Sequence, residues 1–239
     1  MCYTQKQSFS FFLVGMIVAL YIYLKERILS KTYIHYILFF YCGMELLQTI
    51  QYSYIDQCDN PINRFLTEIA YCLIIIQPLM WNVFFYLNSN KCEKYIFKTA
   101  IYLCLFWMAM NIASRVLYKK VLTPLSSKSS AFADEKICTK KLQYAHLYWK
   151  WTSADFYDFN ANYLTYLMLW FIPALISKSS FYYAILFILS TIATVIFIYG
   201  LNYSSKELFL TFTSSWCFIS VPIVLVLILY IIVSKIKKK

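Results

Sequence analysis

Carboxylates and amides stand in this chain where hydrocarbon would solvate neither. Glu45, Gln48 and Gln51 lie inside the apolar run 33–54, and Glu68, Gln77 and Asn82 inside the run 65–87. A bilayer core offers no hydrogen bonds, so such groups must face protein or trapped water. Two readings follow. In one, the groups bond across helices and serve as glue. In the other, they line a water-filled vestibule that opens to the outside. The candidate vestibule comprises Glu45, Gln48, Glu68, Asn111, Arg115, Asp155, Asp158 and Asn162. Acids outnumber the single base in that set, which would favour a small cation or an amine as ligand.

Spacing places these groups on helix faces. Tyr41, Glu45, Gln48 and Tyr52 step by four, three and four, so they share one face. Glu68 and Asn82 share a face of the next helix, while Gln77 points away from it; Pro78 is a candidate bend. Asn111 and Arg115 are four apart, and Asp155, Asp158, Asn162 and Thr165 form another stripe. Glu68 and Arg115 fall at matching depth, about one turn below the outer surface, and are expected to pair.

The elements that must hold these residues are read from apolar runs. Of 239 residues, 61% are hydrophobic and only 14% charged. A soluble domain carries about 25% charged residues. The chain therefore reads as an all-α integral membrane protein, a single transmembrane domain over 1–239. Seven spanning helices are expected at about 8–24, 33–54, 65–87, 95–118, 161–177, 181–201 and 208–234. The first lacks a small-x-small cleavage site and reads as an uncleaved helix rather than a signal peptide. A long polar loop, 119–158, separates the fourth and fifth helices, and its stretch Lys140 to Trp151 reads as an interfacial helix. With only 3 Gly, packing through small-residue motifs is not expected.

The 22 basic residues divide equally between the two sides, so they do not settle orientation by count. Lys25, Arg27 and Lys31 follow the first helix, and Lys235, Lys237, Lys238 and Lys239 close the chain. These compact clusters put the N-terminus outside and the C-terminus in the cytosol. The net charge of +11 marks loops and tails; no basic segment sits on a soluble domain, so nucleic acid is not an expected partner.

Cys42, Cys72, Cys104 and Cys217 fall within helices and read as packing residues, and Cys92 as a free cytosolic thiol. Cys58 and Cys138 share the outer side and are candidates for a disulfide that would staple the long loop over the bundle. Asn202-Tyr203-Ser204 is a glycosylation sequon. Tyr144, Tyr148, Trp149, Trp151 and Tyr157 read as an interfacial belt. His35 and His146 stand alone, with no paired metal ligands, phosphate loop or nucleophile elbow nearby. No enzyme activity, metal or cofactor is expected.

Seven helices with Cys58 before the third and Cys138 before the fifth resemble the G-protein-coupled receptor plan. The third helix ends in Phe84-Phe85-Tyr86-Leu87 rather than Asp-Arg-Tyr, and Val221-Pro222 stands where Asn-Pro-x-x-Tyr would be. Gln77-Pro78 reverses the Pro-Gln of PQ-loop transporters. The stretch Trp149-Lys150-Trp151 running into Trp170-Phe171-Ile172-Pro173 resembles uncharacterised multi-pass membrane proteins of large DNA viruses and protists. That resemblance implies membrane embedding and assigns no residue a role. Two functions are carried forward. One is a receptor-like or transporter-like protein with the bilayer and a small cation or amine as partners. The other is a structural or membrane-organising protein whose polar residues are only glue.

Overall fold

The computed structural model describes residues 4–26, 33–121, 137–141, 147–150 and 163–200. The expected seventh helix, 208–234, lies outside them. Six α-helices are described: α1 (Gln5–Glu26), α2 (Ile34–Gln51), α3 (Pro61–Asn88), α4 (Lys94–Val121), α5 (Tyr163–Ile176) and α6 (Phe181–Gly200). A 3-10 turn, Tyr52–Tyr54, follows α2. Two short strands, β1 (Cys138–Lys141) and β2 (Leu147–Lys150), pair in a two-stranded sheet. The fold is mostly helical, as expected, and the strands stand where an interfacial helix was expected over Lys140 to Trp151. Thr139, Tyr148 and Trp149 are β-branched or aromatic and suit a pleated, half-buried surface.

Three described helices are long and apolar enough to cross a membrane: Gln5–Lys25, Pro61–Asn88 and Lys94–Ala113. At 1.5 Å per residue, α3 and α4 each reach about 42 Å, more than the roughly 30 Å hydrocarbon core needs. Thr165–Ile176 and Phe181–Phe197 are shorter apolar stretches. α2 does not join the three, because His35, Glu45, Gln48 and Gln51 dilute its eighteen residues, and all four are buried.

The described residues fall into two compact units. One comprises 4–26, 33–55, 141, 147–148 and 186–200; the other comprises 56–121, 137–140, 149–150 and 163–185. In the first, α1 packs antiparallel on α2. Gln5 donates to the Thr49 carbonyl and the Ser53 hydroxyl at one end (3.0 and 3.1 Å). Tyr23 meets His35 edge-on at the other. The buried residues Ser8, Ala19 and Ile22 mark the inner face of α1, while Ile17, Tyr21 and Leu24 are exposed, as lipid-facing residues would be. Gly15 lies on that inner face, where a Cβ would meet Cys42 Sγ at 2.7 Å. Gly15 and Ala19, four apart, thus let the two helices approach closely, a small-residue seam that the scarcity of glycine did not suggest.

In the second unit α3 is the central helix, with α4 and α5 packed on it. Asn60 caps α3 by accepting from the Ile62 N–H (2.9 Å), and Pro61 takes the first helical position. A capping side chain plus a proline that needs no donor starts a helix well. The apolar run begins at Phe65, so hydropathy alone placed this start one turn late. At the other end, Asn88 and Ser89 donate side-chain bonds to the last carbonyls, those of Phe84 and Phe85. The core is aromatic: Trp81 stacks on Trp170 at 5.7 Å, Phe85 packs on Phe97, and Tyr183 meets both Phe84 and Phe85 edge-on.

Candidate functional site

The buried polar groups of the second unit form a line along α3. At its start, Asn63 and Thr67 are one turn apart and both are buried. The Asn63 amide clamps one residue of β1 from both sides. Its Nδ2 donates to the Thr139 carbonyl at 3.0 Å, and its Oδ1 accepts from the Thr139 N–H at 2.8 Å. A side-chain amide thus replaces a neighbouring strand. The hydroxyls of Thr67 and Thr139 lie 2.7 Å apart, and the Asp56 N–H also donates to the Thr139 carbonyl. Asp56 adopts φ 64°, a left-handed conformation that Asp tolerates better than most residues. Beside this clamp Cys58 and Cys138 form a disulfide.

One turn further along α3, the Tyr71 hydroxyl donates to Asn111 Oδ1 on α4 (3.0 Å). Asn111 Nδ2 donates to the Trp107 carbonyl at 2.8 Å. Both ends of the Asn111 amide are therefore used within the α3–α4 contact. Gln77, expected to point away from the polar face, is buried and accepts from the Tyr166 hydroxyl of α5.

Asn82 is the last residue of the line along α3. Its Nδ2 donates to the Leu169 carbonyl on α5 (2.9 Å), to the Pro78 carbonyl in its own helix (2.8 Å), and weakly to Cys104 Sγ on α4. The Leu169 contact has a definite cause. In a regular helix that carbonyl would accept from the N–H of residue 173, but residue 173 is proline and has none. An orphan carbonyl in hydrocarbon needs a donor from a neighbouring helix, and Asn82 supplies it.

Glu45 and Gln48 are buried on α2 in the first unit. Glu68 is half-buried on α3. Arg115 lies on α4 with its side chain outside the described residues, as do Asp155, Asp158 and Asn162 entirely. Among the described residues no group of three His, Cys, Asp or Glu could hold a metal ion. Sequence reasoning missed Asn63, Thr67, Thr139 and Tyr166, which a count of misplaced charges passes over. Asn60-Pro61 was the available signal that Asn63 is inside a helix.

A second polar knot closes the far end of the same unit. Glu93, in the link between α3 and α4, accepts from the Ser179 hydroxyl at 2.5 Å and from the Ser179 N–H at 3.4 Å. Ser179 belongs to the link between α5 and α6, so the bond ties two connections together. The Ser179 hydroxyl holds the Glu93 carboxyl below the usual carboxylate range.

An uncharacterised protein of Acanthamoeba polyphaga mimivirus is 25% identical to this chain, over 98% of this chain and 97% of that protein. No solved structure matches. The model of a family of unknown function, DUF5765, matches residues 6–238, nearly the whole length, and the chain belongs to that family.

Proposed function

We propose that the protein is a seven-span integral membrane protein with its N-terminus outside, and that it serves a structural or membrane-organising role. The observation that carries this reading is the Asn82 bond to the Leu169 carbonyl, across from Pro173. A side chain that repairs another helix's broken hydrogen-bond ladder is committed to the scaffold. Asn111 and Gln77 are committed in the same way, to Tyr71 with Trp107 and to Tyr166. A cation or amine vestibule would need Asn111 free to face water, and both ends of its amide are occupied.

The proposed orientation draws support from the disulfide. A Cys58–Cys138 bridge persists in an oxidising compartment, which favours an outside position for the start of α3. Cys92, in the link after α3, is a free and exposed thiol suited to the reducing side. α2 then ends outside and α1 begins outside.

Cysteine accessibility tests the role. In a background lacking the exposed thiols Cys72 and Cys92, cysteine is placed at 82 or at 111. Small polar thiol reagents applied from either side should fail to label it. Rapid labelling at 111 from outside would restore the vestibule and remove the scaffold reading. Tags at the two termini should report opposite sides of the membrane; both on one side would overturn the seven-span topology.

A further inference from the structure

Four lysines gather at one end of the second unit. Lys91 lies in the link between α3 and α4, and Lys94 and Lys98 lie one turn apart at the start of α4. Lys178 lies in the link between α5 and α6. The Glu93–Ser179 bonds hold the two links together, so Lys178 shares this end with the other three. Lys91, Lys98 and Lys178 are exposed and Lys94 is half-buried. In the segments 86–98 and 177–182 one acid, Glu93, stands against these four bases, and Ser179 engages its carboxylate through both hydroxyl and N–H.

This end is also where two candidate spans finish. The span of α3 stops at Asn88 and the span of α4 starts at Lys94. Lys94 Nζ sits 5.2 Å over the ring of Tyr86, in the last turn of α3, which holds one ammonium at the rim of the apolar segment. Tyr95 and Tyr182, in the first turns of α4 and α6, are 76% and 77% exposed. Exposed tyrosines at the end of a spanning helix suit the headgroup level of a bilayer, where an apolar ring and a polar tip are both solvated.

From these observations we propose that this end of the second unit is a docking surface for anionic phospholipid headgroups. Charge complementarity selects the occupant. Each lysine near a membrane surface gains from a negatively charged headgroup, whereas a zwitterionic one brings its own cation beside the phosphate. In the orientation proposed above, this end faces the cytosolic leaflet, the one that carries a negative surface potential. The inference rests on α3 and α4 spanning a bilayer and not on which end is outside.

The test uses the full chain purified in a non-ionic detergent. Dioctanoyl phosphatidylglycerol, dioctanoyl phosphatidylcholine and inorganic phosphate are each titrated, and the unfolding midpoint is recorded. Phosphatidylglycerol should raise the midpoint saturably, by roughly 5–10 °C at a hundredfold excess over its Kd. Phosphatidylcholine and inorganic phosphate should not, and added salt should weaken the response. Lys91→Gln, Lys98→Gln and Lys178→Gln should each move the half-saturation point up by about fivefold, and the three together by about a hundredfold. Lys94 is left in place because it packs on Tyr86. Lys140→Gln is the control, since β1 is clamped at the opposite end of α3 by Asn63; it should leave the titration unchanged. The proposal is overturned if phosphatidylglycerol acts no better than phosphatidylcholine, if inorganic phosphate matches it, if the triple variant keeps the parent's half-saturation point, or if Lys140→Gln weakens binding as much as Lys178→Gln. Should the triple variant fail to fold, the single variants decide: three unmoved half-saturation points overturn the surface. Detergent is blind to orientation, so a failed titration alongside termini on opposite sides strikes the lipid surface alone and leaves the topology standing.

Discussion

Replacing Gly15 with alanine tests how closely α1 and α2 approach. The added Cβ would lie 2.7 Å from Cys42 Sγ, well inside the 3.4 Å where ordinary contact begins. Sulfur sits one bond from the Cys42 Cβ, and a helix leaves such a side chain few rotamers. The strain must therefore pass into the spacing of the helices. Overpacking of this kind costs about 1–3 kcal/mol. Alanine also gains about 0.8–1.0 kcal/mol over glycine in a helix interior. The net expectation is a loss of about 1 kcal/mol, or roughly 2–4 °C in the unfolding midpoint. Gly43 supplies the control, since a Cβ there meets nothing within 4 Å. Gly43→Ala should raise the midpoint by a similar amount. In a Cys42→Ala background the obstructing sulfur is gone, and Gly15→Ala should become neutral or stabilising. The assay is thermal unfolding in detergent, followed by circular dichroism. If Gly15→Ala behaves like Gly43→Ala, or if its cost is the same with and without Cys42, the close seam is refuted.

Three further outcomes are expected. Asn63→Asp keeps the shape of the clamp but sets an oxygen against the Thr139 carbonyl in place of a donor, and should cost about 1–3 kcal/mol in thermal unfolding. Breaking the Cys58–Cys138 bridge, whose cysteines are 80 residues apart, should cost up to about 4.5 kcal/mol by loop-closure entropy, read as a lower midpoint in reductant. Glu93 has a folded pKa below its ordinary 4.5. Its contribution is therefore present above that value and is lost as pH falls through the folded pKa. Ser179→Ala should be less stable than the parent at neutral pH, and the difference should vanish in acid below that pKa; a difference that persists there would show that the carboxylate is not involved.

The helices were legible where apolar runs are long, and their ends moved where capping decides. Asn60 and Pro61 start α3 by satisfying backbone groups, an effect that hydropathy does not register. The strands were not legible: β1 stays in place through the Asn63 amide, 76 residues away, and no local pattern encodes such a bond. Glu45 was legible as a carboxylate in the wrong solvent, and it is buried on α2. Asn111 was read as a vestibule residue because its type suits both readings; its bonds to Tyr71 and the Trp107 carbonyl could not be read from the sequence. Asn82 was seen as a polar group inside an apolar run. Pro173 implied an orphan carbonyl at Leu169, but the donor could be named only once α3 and α5 were side by side.

That pairing gives the most direct test of the scaffold reading. Asn82→Ala is made in the parent and in a Pro173→Ala background, and the unfolding free energies are compared. With proline at 173, loss of Asn82 leaves the Leu169 carbonyl buried without its donor. With alanine there, the residue 173 N–H can bond that carbonyl within α5. Any cavity left by Asn82 is common to both backgrounds and cancels in the cycle. The expected coupling is about 1 kcal/mol, between the roughly 0.6 kcal/mol average for membrane side-chain bonds and the cost of an orphaned buried group. Asn82→Ala should therefore be clearly destabilising in the parent and milder by that amount with Ala at 173. An equal loss in both backgrounds would contradict the claim that Asn82 is there to hold α5.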